Sequence, residues 1–172
     1  NSFNMIKRLV CASAVSMAFI GSVQAAPETV AIGPSGEAIT LTSTYQNSSA
    51  ISANGAVVVF EGSISGQSAT PVWARNRQTA STQLLSKDLG GQADSGNHRN
   101  LSISADGRYV VFESAAANLV SGDTNNSIDL FLADRNTGLI KRIDVSTSGQ
   151  QASVGAGLGA ISADGRYVAF AS

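Results

Sequence analysis

Three near-copies of one ten-residue segment restrict this chain to a repeat architecture. Ile51-Ser52-Ala53-Asn54-Gly55-Ala56-Val57-Val58-Val59-Phe60 recurs as Ile103-Ser104-Ala105-Asp106-Gly107-Arg108-Tyr109-Val110-Val111-Phe112, and again as Ile161-Ser162-Ala163-Asp164-Gly165-Arg166-Tyr167-Val168-Ala169-Phe170. The copies begin at Ile51, Ile103 and Ile161. That period corresponds to one supersecondary unit per repeat, with stacking of like units supplying the core. The pairs Asn54-Gly55, Asp106-Gly107 and Asp164-Gly165 predict tight hairpins with positive φ at both central positions. After each turn the chain is apolar at consecutive positions, as in a strand covered on both faces.

A second alignment fills in the unit. Val72-Trp73-Ala74-Arg75-Asn76-Arg77-Gln78-Thr79 matches Leu130-Phe131-Leu132-Ala133-Asp134-Arg135-Asn136-Thr137, one repeat further on, which reads as a third strand and its turn. In the same register Leu84 and Leu85 match Arg142 and Ile143, a more polar fourth strand suited to an exposed edge. Four antiparallel strands per repeat predict an all-β chain of β-propeller blades, with a tandem of sandwiches as the alternative. The blades fall at about 50–86 and 101–144, with the first hairpin of another at 160–172 and a lone outer strand at 30–32. A closed propeller needs about four to eight blades, so two and a half imply an incomplete propeller. Either the chain is a fragment of a longer protein or copies associate to close the ring; light scattering on the eluted chain separates the two.

Over 103–114 and 161–172 the pattern Ser-Ala-Asp-Gly-Arg-Tyr-Val followed by Phe resembles the WD-like repeat of TolB-like β-propellers. The resemblance spans roughly 30–172. The first copy departs from it, with Asn54 for Asp and Ala56 for Arg. It implies an exported bacterial protein whose propeller serves as a binding platform.

The first residues read independently as an export signal. Lys7 and Arg8 precede an apolar run over 9–20, followed by Val23-Gln24-Ala25 with small residues at the cleavage positions. A signal peptide over 1–25, helical in its apolar part, is expected, with residues 1–4 lying upstream of Met5. Twelve apolar residues are too few for a bilayer core needing about 20, so no stable membrane anchor remains after cleavage at Ala26. The propeller portion is then 26–172, in the periplasm or outside the cell. The single cysteine, Cys11, leaves with the leader, so neither a disulfide nor a thiolate site is expected. Cys11 also precedes the apolar run, the wrong side for lipid attachment. The full chain carries 11 basic and 12 acidic residues; losing Lys7 and Arg8 takes the charge to -3. Such a chain lacks the basic field that binds nucleic acid.

The second repeat carries six extra residues before its third strand, in Ser121-Gly122-Asp123-Thr124-Asn125-Asn126-Ser127-Ile128-Asp129. Oxygen-bearing side chains alternate at Asp123, Asn125, Ser127 and Asp129, the pattern by which a loop converges several ligands on a hard cation such as Ca²⁺. Against that stand Ile128 where a turning glycine belongs, and Asp134 in place of a longer bidentate Glu. The competing reading is an Asx-rich turn bonded to its own backbone.

Other residues offer less chemistry. His98 is the only histidine, and Gly62-Ser63-Ile64-Ser65-Gly66 has Ile where a nucleophilic serine would sit. Glu61 and Glu113 occupy equivalent positions, but Ala171 replaces them in the third copy, favouring a polar strand end over paired catalytic carboxylates. Arg108 and Arg166 are expected in solvent or beside Asp106 and Asp164, and Trp73 in blade packing. The leading expectation is therefore a non-catalytic exported propeller that binds a protein or a glycan. The alternatives are the propeller portion of a hydrolase or glycan-active enzyme, and a cation-stabilised structural array.

Overall fold

The computed structural model describes residues 8–11, 15–18, 28–29, 31–41, 49–94 and 96–172, the first three groups as backbone only. Every regular element among them is a β-strand. The leader, expected as a helix, is described only as β1 (Arg8–Cys11) and β2 (Val15–Ala18), which pair antiparallel, with β3 (Glu28–Thr29) against β2. An isolated helix this short is marginal in water, and strand pairing satisfies the backbone instead. The rest of the leader, with its cleavage site, lies outside the described residues.

The chain continues through β4 (Ile39–Thr40), β5 (Ser49–Ile51), β6 (Val57–Glu61), β7 (Ser63–Ile64), β8 (Val72–Asn76) and β9 (Ser81–Leu84). The order β5-β6-β8-β9 makes one four-stranded antiparallel sheet, while β7 pairs with β4. The second sheet is β10 (His98–Ile103), β11 (Tyr109–Ser114), β12 (Asp129–Asp134) and β13 (Leu139–Arg142), in that order. A hairpin of β14 (Gly157–Ile161) and β15 (Val168–Ala171) begins a third. Two complete blades and the first hairpin of another are thus present. Around 30–32 there is no strand among the described residues: Ile32 bridges Ala38, and its carbonyl accepts the Thr82 hydroxyl from β9.

Strand parity explains the consecutive apolar residues. On β6, Val57 and Val59 face the second blade, where Val110 and Phe112 of β11 and Phe131 and Ala133 of β12 meet them. Val58 and Phe60 point the other way, onto Ala31, Ile39 and Trp73. In the second blade Val111 and Leu130 face the third hairpin, against Ile161 and Val168. Each interior strand therefore has no solvent face, and burying a side chain such as Phe112 contributes roughly 1.5–3 kcal/mol. The outer strands β9 and β13 are partly exposed, and Leu139 is open to solvent. Trp73 is blade packing, its indole N–H donating to the Gly62 carbonyl.

The repeated turn differs from the expected hairpin in one respect. Only its glycine has positive φ, 69° at Gly55, 75° at Gly107 and 71° at Gly165. The residue before it is held by its side chain instead. Asp106 Oδ1 accepts the Ser104 hydroxyl and the Arg108 N–H, and Ser104 Oγ accepts the Tyr109 N–H. Ser52 with Asn54, and Ser162 with Asp164, repeat this arrangement. The turns also join the blades: the Ala53 N–H donates to the Ala105 carbonyl, and the Ala105 N–H to the Ala163 carbonyl. Gly107 packs so closely on Val57 that a Cβ would stand 2.8 Å from Val57 Cγ2. The repeated Ser-Ala-Asp/Asn-Gly string is therefore both a turn and an inter-blade stacking motif. Arg108 pairs not with Asp106 but with Asp134, through Nε at 3.0 Å and Nη2 at 2.8 Å. This bidentate pair holds the Asp134 carboxyl well below its usual range.

Candidate functional site

Three places in the fold gather polar groups, and the first is the junction of blades one and two. His98, at the start of β10, is fully buried. Its Nε2 lies 3.0 Å from Asp94 Oδ2, and its Nδ1 lies 3.0 Å from the Thr70 carbonyl. Because that carbonyl can only accept, Nδ1 is the donor in that hydrogen bond. Asp94 Oδ1 accepts the Ser86 hydroxyl, and Ser86 Oγ accepts the Val72 N–H, so a continuous network links β8, the 85–94 loop and β10. Glu61 Oε1 accepts from the Thr70 hydroxyl and, more loosely, from the His98 N–H at 3.4 Å. Burial raises the Glu61 carboxyl above its ordinary 4.5, partly offset by the His98 amide. His98 also tilts against Phe112, with ring centroids 5.6 Å apart. Both ring nitrogens are committed and the ring is out of solvent, so this histidine is a fastener between blades. Its burial and its partners Asp94 and Ser86 were not legible from its polar sequence surroundings.

Glu113, the equivalent of Glu61, fastens the next junction. Its carboxylate accepts from Arg99 Nε at 2.7 Å, from Asn100 Nδ2 at 2.7 Å and from the Leu158 N–H of the third hairpin. The two glutamates are structural links in successive blades and stand in separate junctions.

The second place is the loop expected to ligate a cation. The structure brings Asp123 and Asp129 together but assigns Asn125 and Ser127 to holding the loop shut. Asn125 Oδ1 accepts the Ser127 N–H, and its Nδ2 donates to Asp129 Oδ1 and the Ala152 carbonyl. The loop turns at Gly122 and Asn126, with φ of 78° and 52°, so no glycine is needed at Ile128. Asp134, twelfth from Asp123, is turned away toward Arg108. Instead Asp144, just past β13, joins the group. Arg142 Nη1 sits 3.2 Å from Asp123 Oδ1 and 3.6 Å from Asp129 Oδ2. Burial, then the neighbouring Asp129, pushes the Asp144 carboxyl up to about 6. Burial and Asp129 raise Asp123 as well. The amide of Leu130 partly offsets the rise at Asp144, yet neither Asp144 oxygen meets hydrogen-bond geometry, nor does Asp129 Oδ2.

The third place is a groove of about 310 Å³ along the first strands of three successive units. Ser49 of β5, Leu101 and Ser102 of β10, and Leu158 and Ala160 of β14 line it. Its shape comes from bulges that shift the register between Arg99 and Ser102 and between Gly157 and Ala160. Each bulge places a residue in the left-handed region, Asn100 at φ 53° and Leu158 at φ 58°. Leu158 is 72% exposed in consequence.

Two four-stranded antiparallel blades, stacked face to face and joined turn to turn, define a β-propeller repeat protein. No protein-family model matches the chain, and no curated protein matches it. Among solved structures it is similar to TolB from Acinetobacter baumannii, at 17% identity and a TM-score of 0.53, over 91% of this chain and 31% of that one. It is similar also to a putative TolB from Agrobacterium tumefaciens, at 16% identity and a TM-score of 0.53, over 92% of this chain and 46% of that one. The chain has the TolB-like β-propeller fold and spans less than half the length of either relative.

Proposed function

We propose that this chain is part of an exported, non-catalytic propeller scaffold that binds a protein or a glycan through the groove on its first strands. The observation that carries this reading is the construction of that groove. The second and third units contribute equivalent bulges to it, each with one residue in the left-handed region; Asn100 at the first is tied inward to Glu113, and Leu158 at the second is turned outward. Ser49 and Ser102 line the groove together with the exposed Leu158, a polar and apolar mixture suited to noncovalent contact with a peptide or a sugar face. The residues with hydrolytic chemistry, His98, Asp94 and Ser86, are committed to fastening two blades together. Export rests on the leader signals at Lys7, Arg8 and the apolar run that follows.

The test uses the chain with its own leader and a photo-crosslinking residue at position 158 or, as control, at position 139. Leu139 is equally exposed, at 69%, but stands on the outer strand β13. The expected result is a chain recovered from the periplasm or medium with a discrete adduct from position 158 alone, competed by excess unlabelled chain. Retention in the cytoplasm, or equal labelling from both positions, overturns the proposal.

A further inference from the structure

We propose that Asp123, Asp129 and Asp144 bind one hard divalent cation, with calcium the best fit, and that the ion pins the 121–129 loop to the end of β13. The motivating observation is a set of orphaned oxygens. Asp144 is 4% exposed and Asp129 fully buried, yet both oxygens of Asp144 and Oδ2 of Asp129 lack a hydrogen-bond partner. Buried carboxylates without partners are costly and persist where something compensates them. The one guanidinium in the group, Arg142, neutralises one of the three carboxylates. Two negative charges are left over, the charge of a single divalent ion.

The ligand chemistry narrows the ion. All available donors are oxygens, with no imidazole or thiolate among them, which suits calcium or magnesium rather than zinc. Calcium accepts irregular oxygen geometry, whereas magnesium demands a near-ideal octahedron. A cavity of about 290 Å³ lined by Asp144, Gln151 and Ala152 adjoins the cluster on the Asp144 side. Among the described residues no three His, Cys, Asp or Glu side chains are placed, as they stand, to hold a metal ion. Binding therefore requires Asp123 to turn from Arg142 Nη1 toward Asp129 and Asp144. Arg142 keeps a second partner in that event, since the same nitrogen donates to Gln151 Oε1 at 2.9 Å.

The experiment is calorimetric titration of the chelator-stripped full chain with CaCl₂, alongside its thermal melt with and without the ion. The expected result is a saturable heat in the range of about 10⁻⁴–10⁻³ M, typical of extracellular calcium modules, and a melting temperature that rises with calcium. Asp144→Asn is expected to weaken binding at least tenfold. Asp164→Asn, in an exposed turn whose first copy carries Asn54, is expected to bind as the parent does. Should Asp144→Asn fail to fold, Asp144→Ser replaces it, because blade one carries Ser86 at the equivalent position. Absence of heat and of any melting shift at millimolar calcium overturns the site. Unchanged affinity in the folded Asp144 variant overturns its assignment to these residues.

Discussion

The ends of the two complete blades occupy the same place in the repeat and solve the same problem in opposite ways. In the register that matches Trp73 with Phe131, Ser86 corresponds to Asp144, Asp94 to Ala152 and His98 to Ala156. In blade one the Ser86 hydroxyl, the Asp94 carboxylate and the His98 ring close a network in which each group has a partner. In blade two the serine has become Asp144, its carboxylate and imidazole partners have become alanines, and an inserted loop brings Asp123 and Asp129 alongside. In the first junction Ser86, Asp94 and His98 satisfy one another, and one carboxylate oxygen, Glu61 Oε2, is left without a partner; the other is a carboxylate cluster in which both oxygens of Asp144 and Oδ2 of Asp129 are unpartnered. A repeat can hold its backbone course while exchanging a hydroxyl, carboxylate and imidazole network for a carboxylate cluster that needs a ligand.

The largest expected effect breaks the first junction. Asp94→Ala removes the partner of His98 Nε2 and the acceptor of the Ser86 hydroxyl inside a region sealed from water. Each buried polar group left without its partner costs about 1–3 kcal/mol, and two are orphaned at once, which urea denaturation would register as a much lower midpoint. A loss under about 1 kcal/mol, the scale of an exposed pair, would mean that Asp94 and His98 do not fasten the blades. The contrasting change in the other junction, Asp144→Ser with calcium chelated, is expected to leave the midpoint unchanged or raise it.

This contrast also shows which parts of the fold could be read from residues alone. The blade period, the four strands per unit and the covered interior strands follow from local patterns: consecutive apolar residues after an Asx-Gly turn, and matched segments one repeat apart. What the residues could not show was partnership across blades. Asp144 carries no signal of its own because its companions arrive from the loop upstream of β12, and only the β12–β13 pairing brings them together. His98 reads as a loop histidine because its neighbours are Asn and Arg, while its contacts come from Thr70, Asp94 and Phe112. The turns were half legible: glycine announces positive φ, but the serine that organises the turn looks like an ordinary polar residue until its hydroxyl is seen bonding twice.

That serine supplies the next test, which compares the second turn with the third. Ser104 is fully buried between blades, whereas Ser162 is partly exposed at the third hairpin. Both hydroxyls donate to the Asp two residues on and accept an N–H five residues on. Ser104→Ala is expected to cost about 1–3 kcal/mol, since the half-buried Tyr109 amide loses its acceptor at a position closed to water on the Ser104 side. Ser162→Ala should cost less, because water replaces the hydroxyl there. Equal losses in equilibrium unfolding would show that burial between blades adds nothing to the motif.

The smallest expected effect concerns pH and separates the two junctions by their acids. Glu61 has a folded-state pKa raised above 4.5, chiefly by burial, with the His98 amide and ring and the Thr70 hydroxyl opposing and Asp94 adding to the rise. A carboxyl that holds its proton more tightly when folded contributes stability below its unfolded pKa and loses that contribution as pH rises through the folded value. Asp106, Asp134 and Asp164 are shifted down from 3.8 and act in the opposite sense, so their contribution is lost only in more acidic solution. Stability of the chelated chain should therefore fall as pH climbs from about 4.5 toward neutrality. Glu61→Gln, whose amide oxygen can still accept from Thr70 and His98, should remove part of that fall. The remainder belongs to Asp123 and Asp144, and saturating calcium should flatten that part by favouring their ionised forms. A profile unchanged by Glu61→Gln would place the whole slope in the second junction and make the first electrostatically silent.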